Sequence, residues 1–177
     1  DSWSGDSWKT GGGPTWVTGS FDPLLNLIYW GVGNPSPDFD GDSRAGNNLY
    51  SNSVVAVEAA TGKLAWHFQF TPHDEHDWDS NQVPILTTIK LNGVETPVVA
   101  WANRNGFYYV LDRRDGRFIT GVPFARLNWA KGLDQSGRPI LTPAARVTTE
   151  GVLTQPHWSG ATNWQSPAFN PELGLFF

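Results

Sequence analysis

TWVTGSFDPLLNLIY (Thr15–Tyr29) and NWQSPAFNPELGLFF (Asn163–Phe177) are two copies of one unit. A shift of 148 positions takes Trp16 to Trp164 and pairs Phe21 with Phe169, Asp22 with Asn170, Pro23 with Pro171 and Leu25 with Leu173. It also pairs Leu27 with Leu175 and Tyr29 with Phe177. Each copy reads as a Trp, a turn on Asp-Pro or Asn-Pro, then an apolar strand, because Asp and Asn side chains initiate turns and LNLIYWGV has strand composition. Self-similarity at long range predicts a repeated sheet architecture, with blades of ~40–50 residues filling the interval.

The intervening sequence fits such blades. In SNSVVAVEAATGKLAWHFQF, Val54 to Val57 form a strand, Ala60-Thr61-Gly62-Lys63 a turn and Leu64 to Phe70 the return. VVAWANRNGFYYVLDRRDGRFITG repeats the plan, with strands at Val98–Trp101 and Phe107–Leu111 and turns at Asn103–Gly106 and Arg114–Gly116. Residues 123–163 carry scattered prolines (Pro139, Pro143, Pro156) and read as a long loop or a weak blade. Short strands with Gly turns also suit a sandwich; the self-match selects a propeller. The expected fold is all-β, with residues 1–177 forming one partial propeller domain of about three blades, cut at both ends.

Composition excludes several classes. The chain has 177 residues, 39% apolar, with 10 Trp, 10 Phe, 19 Gly and 13 Pro, enough for a core but poorly suited to long helices. A net charge of −5 argues against nucleic acid and anionic membranes as partners. No run approaches the ~18 apolar residues of a membrane span. Without Cys there is no disulfide and no thiolate metal site in this sequence.

Chemistry concentrates in TPHDEHDWDS (Thr71–Ser80), which holds Asp74, Glu75, Asp77, Asp79, His73 and His76. Asp77 and Asp79 flank Trp78, so in extended chain they share one side. Two like charges there repel unless a cation or proton lies between them. The loop is a solvated acidic turn or a hard-cation site. His73 and His76, two imidazoles without a third, are a weak zinc signature and read as structural, with His73 and Glu75 orienting the loop. Asp38, Asp40 and Asp42 alternate like a calcium loop but lack its closing glutamate, and read as a solvated surface.

AVEAATGKLAW (Ala56–Trp66) resembles the tryptophan docking motif of the quinoprotein alcohol dehydrogenases, eight-bladed propellers carrying pyrroloquinoline quinone (PQQ). GGGPTW, GVGNPSP, TPHDEHDWD, WANRNG and GATNW occur in that family's order, so the resemblance spans essentially the whole chain. It implies that Trp66 docks one blade on the next and that Gly62 serves its turn. It implies that Trp16 lies beneath the PQQ rings, that Asn34 gives its side-chain oxygen to the metal, and that Asp77 is the base and also faces the metal. Arg104 would donate to the reactive quinone oxygen, while Asn163 and Trp164 would close the cofactor pocket. Lanthanide-dependent members have an aspartate two positions after the base where calcium-dependent methanol dehydrogenases have a small residue. Asp79 therefore implies a lanthanide, with calcium as the alternative. The family's glutamate ligand and adjacent-cysteine disulfide would belong to a part preceding this one.

The resemblance further implies a periplasmic enzyme that oxidises a primary alcohol to an aldehyde and passes electrons to a cytochrome c. Taken singly, each site residue has a plainer reading: Trp16 and Trp164 as core, Asn34, Arg104 and Asn163 as turn residues, Asp77 and Asp79 as solvated acids. Two other readings are a non-catalytic propeller scaffold of the outer-membrane assembly type and a calcium-dependent member acting on other alcohols or polyols. The coexistence of Asn34, Asp77 and Arg104 with Trp16 separates an enzyme from a scaffold, which would keep only the docking motif.

Overall fold

The computed structural model describes residues 2–177. β1 (Ser20–Asp22), β2 (Leu27–Val32), β3 (Ser53–Glu58) and β4 (Leu64–Gln69) form one antiparallel four-stranded sheet in chain order. β5 (Ile85–Leu91), β6 (Val94–Ala102), β7 (Phe107–Asp112) and β8 (Phe118–Pro123) form a second of the same plan. A small hairpin of β9 (Ala130–Leu133) and β10 (Pro139–Leu141) follows. The hairpin of β11 (Phe169–Asn170) and β12 (Leu175–Phe176) then repeats the opening of the first sheet.

The turn and strand register of the repeat read from sequence recur in both copies. Asp22 Oδ1 accepts from the backbone of Leu24 (2.9 Å) and Leu25 (3.2 Å); Asn170 Oδ1 accepts from Glu172 (3.0 Å) and Leu173 (3.1 Å). The registers agree as well, Asp22 opposite Leu27 and Asn170 opposite Leu175. Such side-chain turns fix strand register before any distant contact forms. β6 starts earlier than the sequence reading placed it, because Asn92-Gly93, both at positive φ, closes a two-residue hairpin with β5.

The two sheets lock through Trp66. Its indole lies against Gly116 in the β7–β8 turn, where an added Cβ would come within 3.0 Å of the ring, and it packs on Tyr29 at 5.6 Å. Tyr29 Oη donates to Arg113 O (2.7 Å), and the Arg113 guanidinium pairs with Asp22 at 2.7 Å. Gly62 takes φ 70° in the β3–β4 turn. The core between the sheets is aromatic, with Phe70 5.1 Å from Trp101 and 4.9 Å from Tyr109. Each such pair adds about 0.5–1.5 kcal/mol beyond burial.

Residues 124–163 are mostly irregular and cover one end of the sheets. Trp129 is buried, donates to Asn105 O (2.9 Å) and packs on Trp78 (5.0 Å). The acidic loop holds this cover: His76 Nε2 bonds Ala145 O (2.8 Å), Glu75 Oε2 accepts from Val147 N (3.1 Å) and Trp78 Nε1 donates to His157 O (3.1 Å). The other loop histidine, His73, meets Gly46 O through Nδ1 (2.8 Å). No helix is long and apolar enough to cross a membrane among the described residues.

Candidate metal and cofactor site

Four separate stretches meet at the covered end. Gly31-Val32-Gly33 brings the chain from β2 to Asn34; the acidic loop carries Asp77 and Asp79; the β6–β7 turn carries Arg104; and residues 157–164 lie over it. Arg104 is buried and joins them. Its Nη1 donates to Asp79 Oδ2 (2.8 Å), its Nη2 donates to Trp158 O (2.8 Å) and lies 3.7 Å from Asp77 Oδ2. Asp79 Oδ1 accepts from the Asn34 backbone N–H at 2.9 Å.

The acidic loop is not extended, as the alternation argument assumed. Asp77 sits at φ 60°, a left-handed conformation that Asp tolerates better than most residues. Asp74 enforces it. Its Oδ1 accepts from His76 N (2.9 Å), its Oδ2 from Trp78 N (2.8 Å), and Asn52 Nδ2 donates to both Asp74 Oδ2 and Trp78 O at 3.0 Å. Burial pushes the Asp74 carboxyl above the usual range, against these hydrogen bonds. The result turns Trp78 into the core and leaves the flanking carboxylates at Arg104.

The turn glycines make room. A Cβ on Gly33 would collide with Asp79 Oδ1 and come 2.8 Å from the Asn81 side-chain amide and Pro14; one on Gly31 would meet Ser80 O. Gly33 N donates to Pro14 O (2.7 Å), which brings Trp16 to the same edge. The hydrogen-bonding environment assigns the Asn81 amide so that Oδ1 accepts from Trp16 Nε1 (2.6 Å) and Nδ2 donates to Gly31 O (2.7 Å). Trp16 is thus pinned by its N–H while half its surface (50%) stays open.

The donors left free suit a hard cation. Asn34 Nδ2 donates to Asp38 Oδ1 (2.8 Å) and Pro35 O (3.1 Å), so Oδ1 is the free end of that amide. No hydrogen-bond donor reaches the Asp77 carboxylate among the described residues, and burial, opposed by Arg104 but aided by Asp79 and Asp38, pushes it up to about 6. A cation placed there would draw it back down. Amide and carboxylate oxygens without sulfur are the ligands of calcium-like and trivalent ions, and such ions take 6–8 oxygens. Among the described residues no three His, Cys, Asp or Glu side chains form a metal cluster. The remaining oxygens would come from elsewhere, a bound cofactor included.

Asn163 and Trp164 lie on the covering loop. Ala161 N donates to Arg104 O (2.9 Å), and Gly160 packs on the Arg104 side chain. Asn163 hydrogen-bonds within its own loop, to Ser159 O (2.7 Å) and from Trp164 N (2.9 Å), and Trp164 is 59% exposed. Sequence reading missed Asp74, Asn52 and Asn81, which hold the site, and Arg44. That buried guanidinium donates to Pro37 O (3.0 Å), Asp38 O (3.1 Å) and Asp74 O (2.5 Å), tying the Asn34 segment to the acidic loop.

An antiparallel blade repeat that sets free oxygen ligands beside an open tryptophan is a propeller segment with a candidate cofactor site. A family model described as "PQQ: Glucose/ethanol/alcohol dehydrogenase, beta-propeller domain" matches residues 1–127, and the chain belongs to that family. It is 45% identical to the quinoprotein alcohol dehydrogenase PedH of Pseudomonas putida, over 99% of this chain and 31% of that protein. It is 40% identical to the lanthanide-dependent methanol dehydrogenase of Methylacidiphilum fumariolicum, over 99% of this chain and 29% of that one. Among solved structures it superposes on a europium-containing methanol dehydrogenase with a TM-score of 0.94 at 38% identity, covering 99% of this chain and 31% of the other. The chain therefore spans about a third or less of these relatives, and its fold is a segment of a β-propeller.

Proposed function

We propose that, in the full-length protein, this segment supplies the base and part of the metal shell of a PQQ-dependent dehydrogenase that oxidises a primary alcohol to an aldehyde. The observation that carries the reading is the meeting of Asn34, Asp77 and Asp79 around Arg104, with Trp16 pinned at the same edge. A non-catalytic scaffold would keep the docking motif alone, whereas this chain also gathers Asp77 and Asp79 at a buried Arg104.

PQQ with a metal, when bound, would supply a two-electron acceptor whose carbonyl a cation could polarise. Asp77 takes the hydroxyl proton of the alcohol on a carboxylate oxygen; with a cation alongside, it is ionised at neutral pH. Arg104 holds Asp79 and lies beside Asp77, and its guanidinium charge would face negative charge developing on the cofactor. Trp16 offers an open ring face for a planar cofactor to stack on. Asn34 Oδ1, Asp77 and Asp79 would hold the ion, and Asp79 adds the second carboxylate charge that favours a trivalent lanthanide over calcium. Asn163 and Trp164 close the pocket from the covering loop. Electrons leave to a cytochrome c, and the enzyme works in the periplasm. The names of the lanthanide-dependent and quinohemoprotein relatives support the metal and the acceptor.

The test uses the full-length protein reconstituted with PQQ and a light lanthanide. Asp77→Asn keeps shape and removes basicity, so turnover with a dye acceptor should fall by roughly 10²–10⁴ while bound PQQ, read by absorbance, is retained. Near-normal turnover would overturn the assignment.

A further inference from the structure

Asn34 can serve a cation only if the right end of its amide faces it. Oxygen and nitrogen are almost isosteric, so a half-turn about the last side-chain bond would present N–H groups to the ion and remove a ligand. The choice is made by what the nitrogen finds, and it finds Asp38. Asn34 Nδ2 donates to Asp38 Oδ1 at 2.8 Å, with Pro35 O a second, longer acceptor at 3.1 Å.

Asp38 is itself held. Its backbone carbonyl accepts from Arg44 Nη2 (3.1 Å), and the same buried nitrogen donates to Asp74 O in the acidic loop (2.5 Å). The guanidinium also takes Pro37 O and Asn48 Oδ1. Asp38 is thus tied through Arg44 to the loop that carries Asp77. Its neighbours Asp40 and Asp42 are used differently, one accepting from Ser43 and the other pairing with Arg146. Of the three alternating acids, only Asp38 bonds the Asn34 side chain.

We propose that Asp38 is a positioning residue for the cation: it fixes the Asn34 amide with its oxygen toward the ion and adds a carboxylate charge outside the direct ligands. This rests on the reading of Asn34 and Asp77 as metal ligands. Ligands of this kind are set by the groups behind them, and loss of such a group costs about 10–100-fold in metal affinity.

The test is terbium binding to metal-free full-length protein, read by tryptophan-sensitised luminescence, with no turnover involved. Asp38→Ala should weaken terbium binding roughly tenfold or more. Asp38→Asn, which keeps an acceptor for Asn34 but lacks the charge, should recover part of the loss. The melting temperature of the metal-free protein should not move, because the Asp38 side chain is exposed. Asp38→Ala binding within twofold of wild type would overturn the proposal, as would equal losses in Ala and Asn, since orientation of the amide would then count for nothing. Asp77→Asn separates the two readings. If it leaves terbium binding unchanged, the metal site itself fails; if it weakens binding while Asp38→Ala does not, only the role of Asp38 fails.

Discussion

Arg104→Ala tests how the site is balanced before any cofactor enters. The side chain is 4% exposed and its Nη1 lies 2.8 Å from an Asp79 carboxylate that is itself 10% exposed. Removing one member of such a pair leaves an uncompensated buried charge and costs about 3–5 kcal/mol. Asp79 keeps the Asn34 N–H at 2.9 Å, which places the expected loss at the lower end, ~3 kcal/mol. Denaturant unfolding of metal-free full-length protein measures it. Asp79→Asn supplies the control: with the carboxylate neutralised, losing Arg104 should cost much less, giving a coupling energy of roughly 1.5–3 kcal/mol. A lanthanide should also stabilise Arg104→Ala more than wild type, since the ion then meets Asp77 and Asp79 without a competing guanidinium. Additivity within ~0.5 kcal/mol in the double-mutant cycle would refute the pairing as the organiser of the site.

Three further outcomes follow from the same geometry. Asp79→Ala should collapse lanthanide-supported turnover while calcium partly substitutes, because a trivalent ion loses more from each deleted carboxylate; unimpaired lanthanide activity would reduce Asp79 to a structural acid. Trp66→Ala should cost about 3–5 kcal/mol of unfolding free energy and Trp66→Phe less, as the indole bridges Tyr29 and the Gly116 turn; a loss under ~1 kcal/mol would remove its docking role. The Asp77 carboxyl, raised from 3.8 to about 6 in the metal-free state, is favoured in its protonated form by the fold. That contribution is fully present below pH 3.8 and is lost as pH rises through about 6. Thermal melts of the metal-free protein from pH 4 to 7 should therefore show a step that Asp77→Asn lacks, and identical profiles would count against the shift.

What the sequence disclosed was governed by locality. The Asp22-Pro23 and Asn170-Pro171 turns write their geometry into adjacent side chains, and so the two copies share register and hydrogen bonds. Trp66 was readable because its blade turn precedes it at fixed spacing. Asn92-Gly93 was equally local and was passed over, which shortened β6. The supports of the site were not readable in this way. Asp74, Asn52 and Arg44 look like solvated loop residues, yet each is buried and bonded to loop partners across 22 to 30 positions. Polar groups of this kind are buried only once distant loops supply their partners, and no periodicity announces that. Asn163 shows the converse: the resemblance gives it a place closing the pocket, but its hydrogen bonds turn inward to its own loop.

Asp79 and the turn opposite it are one device. Asp79, two positions after the proposed base, would serve a cation only if its carboxylate can come up against the Asn34 backbone, and a side chain at position 33 would stand in that space. Gly33 keeps it open, while Gly31 lets the chain pass close to Ser80. Arg104 then holds the carboxylate in place until a stronger positive charge arrives. Introducing the aspartate alone into a propeller with a bulkier turn should not create lanthanide preference, because the acid would be displaced from Asn34 and its charge returned to water. On the proposed metal role, selectivity would lie in the pairing of GVGN (Gly31–Asn34) with DWD (Asp77–Asp79), two stretches that neither composition nor spacing links and that only the fold brings within one hydrogen bond of each other.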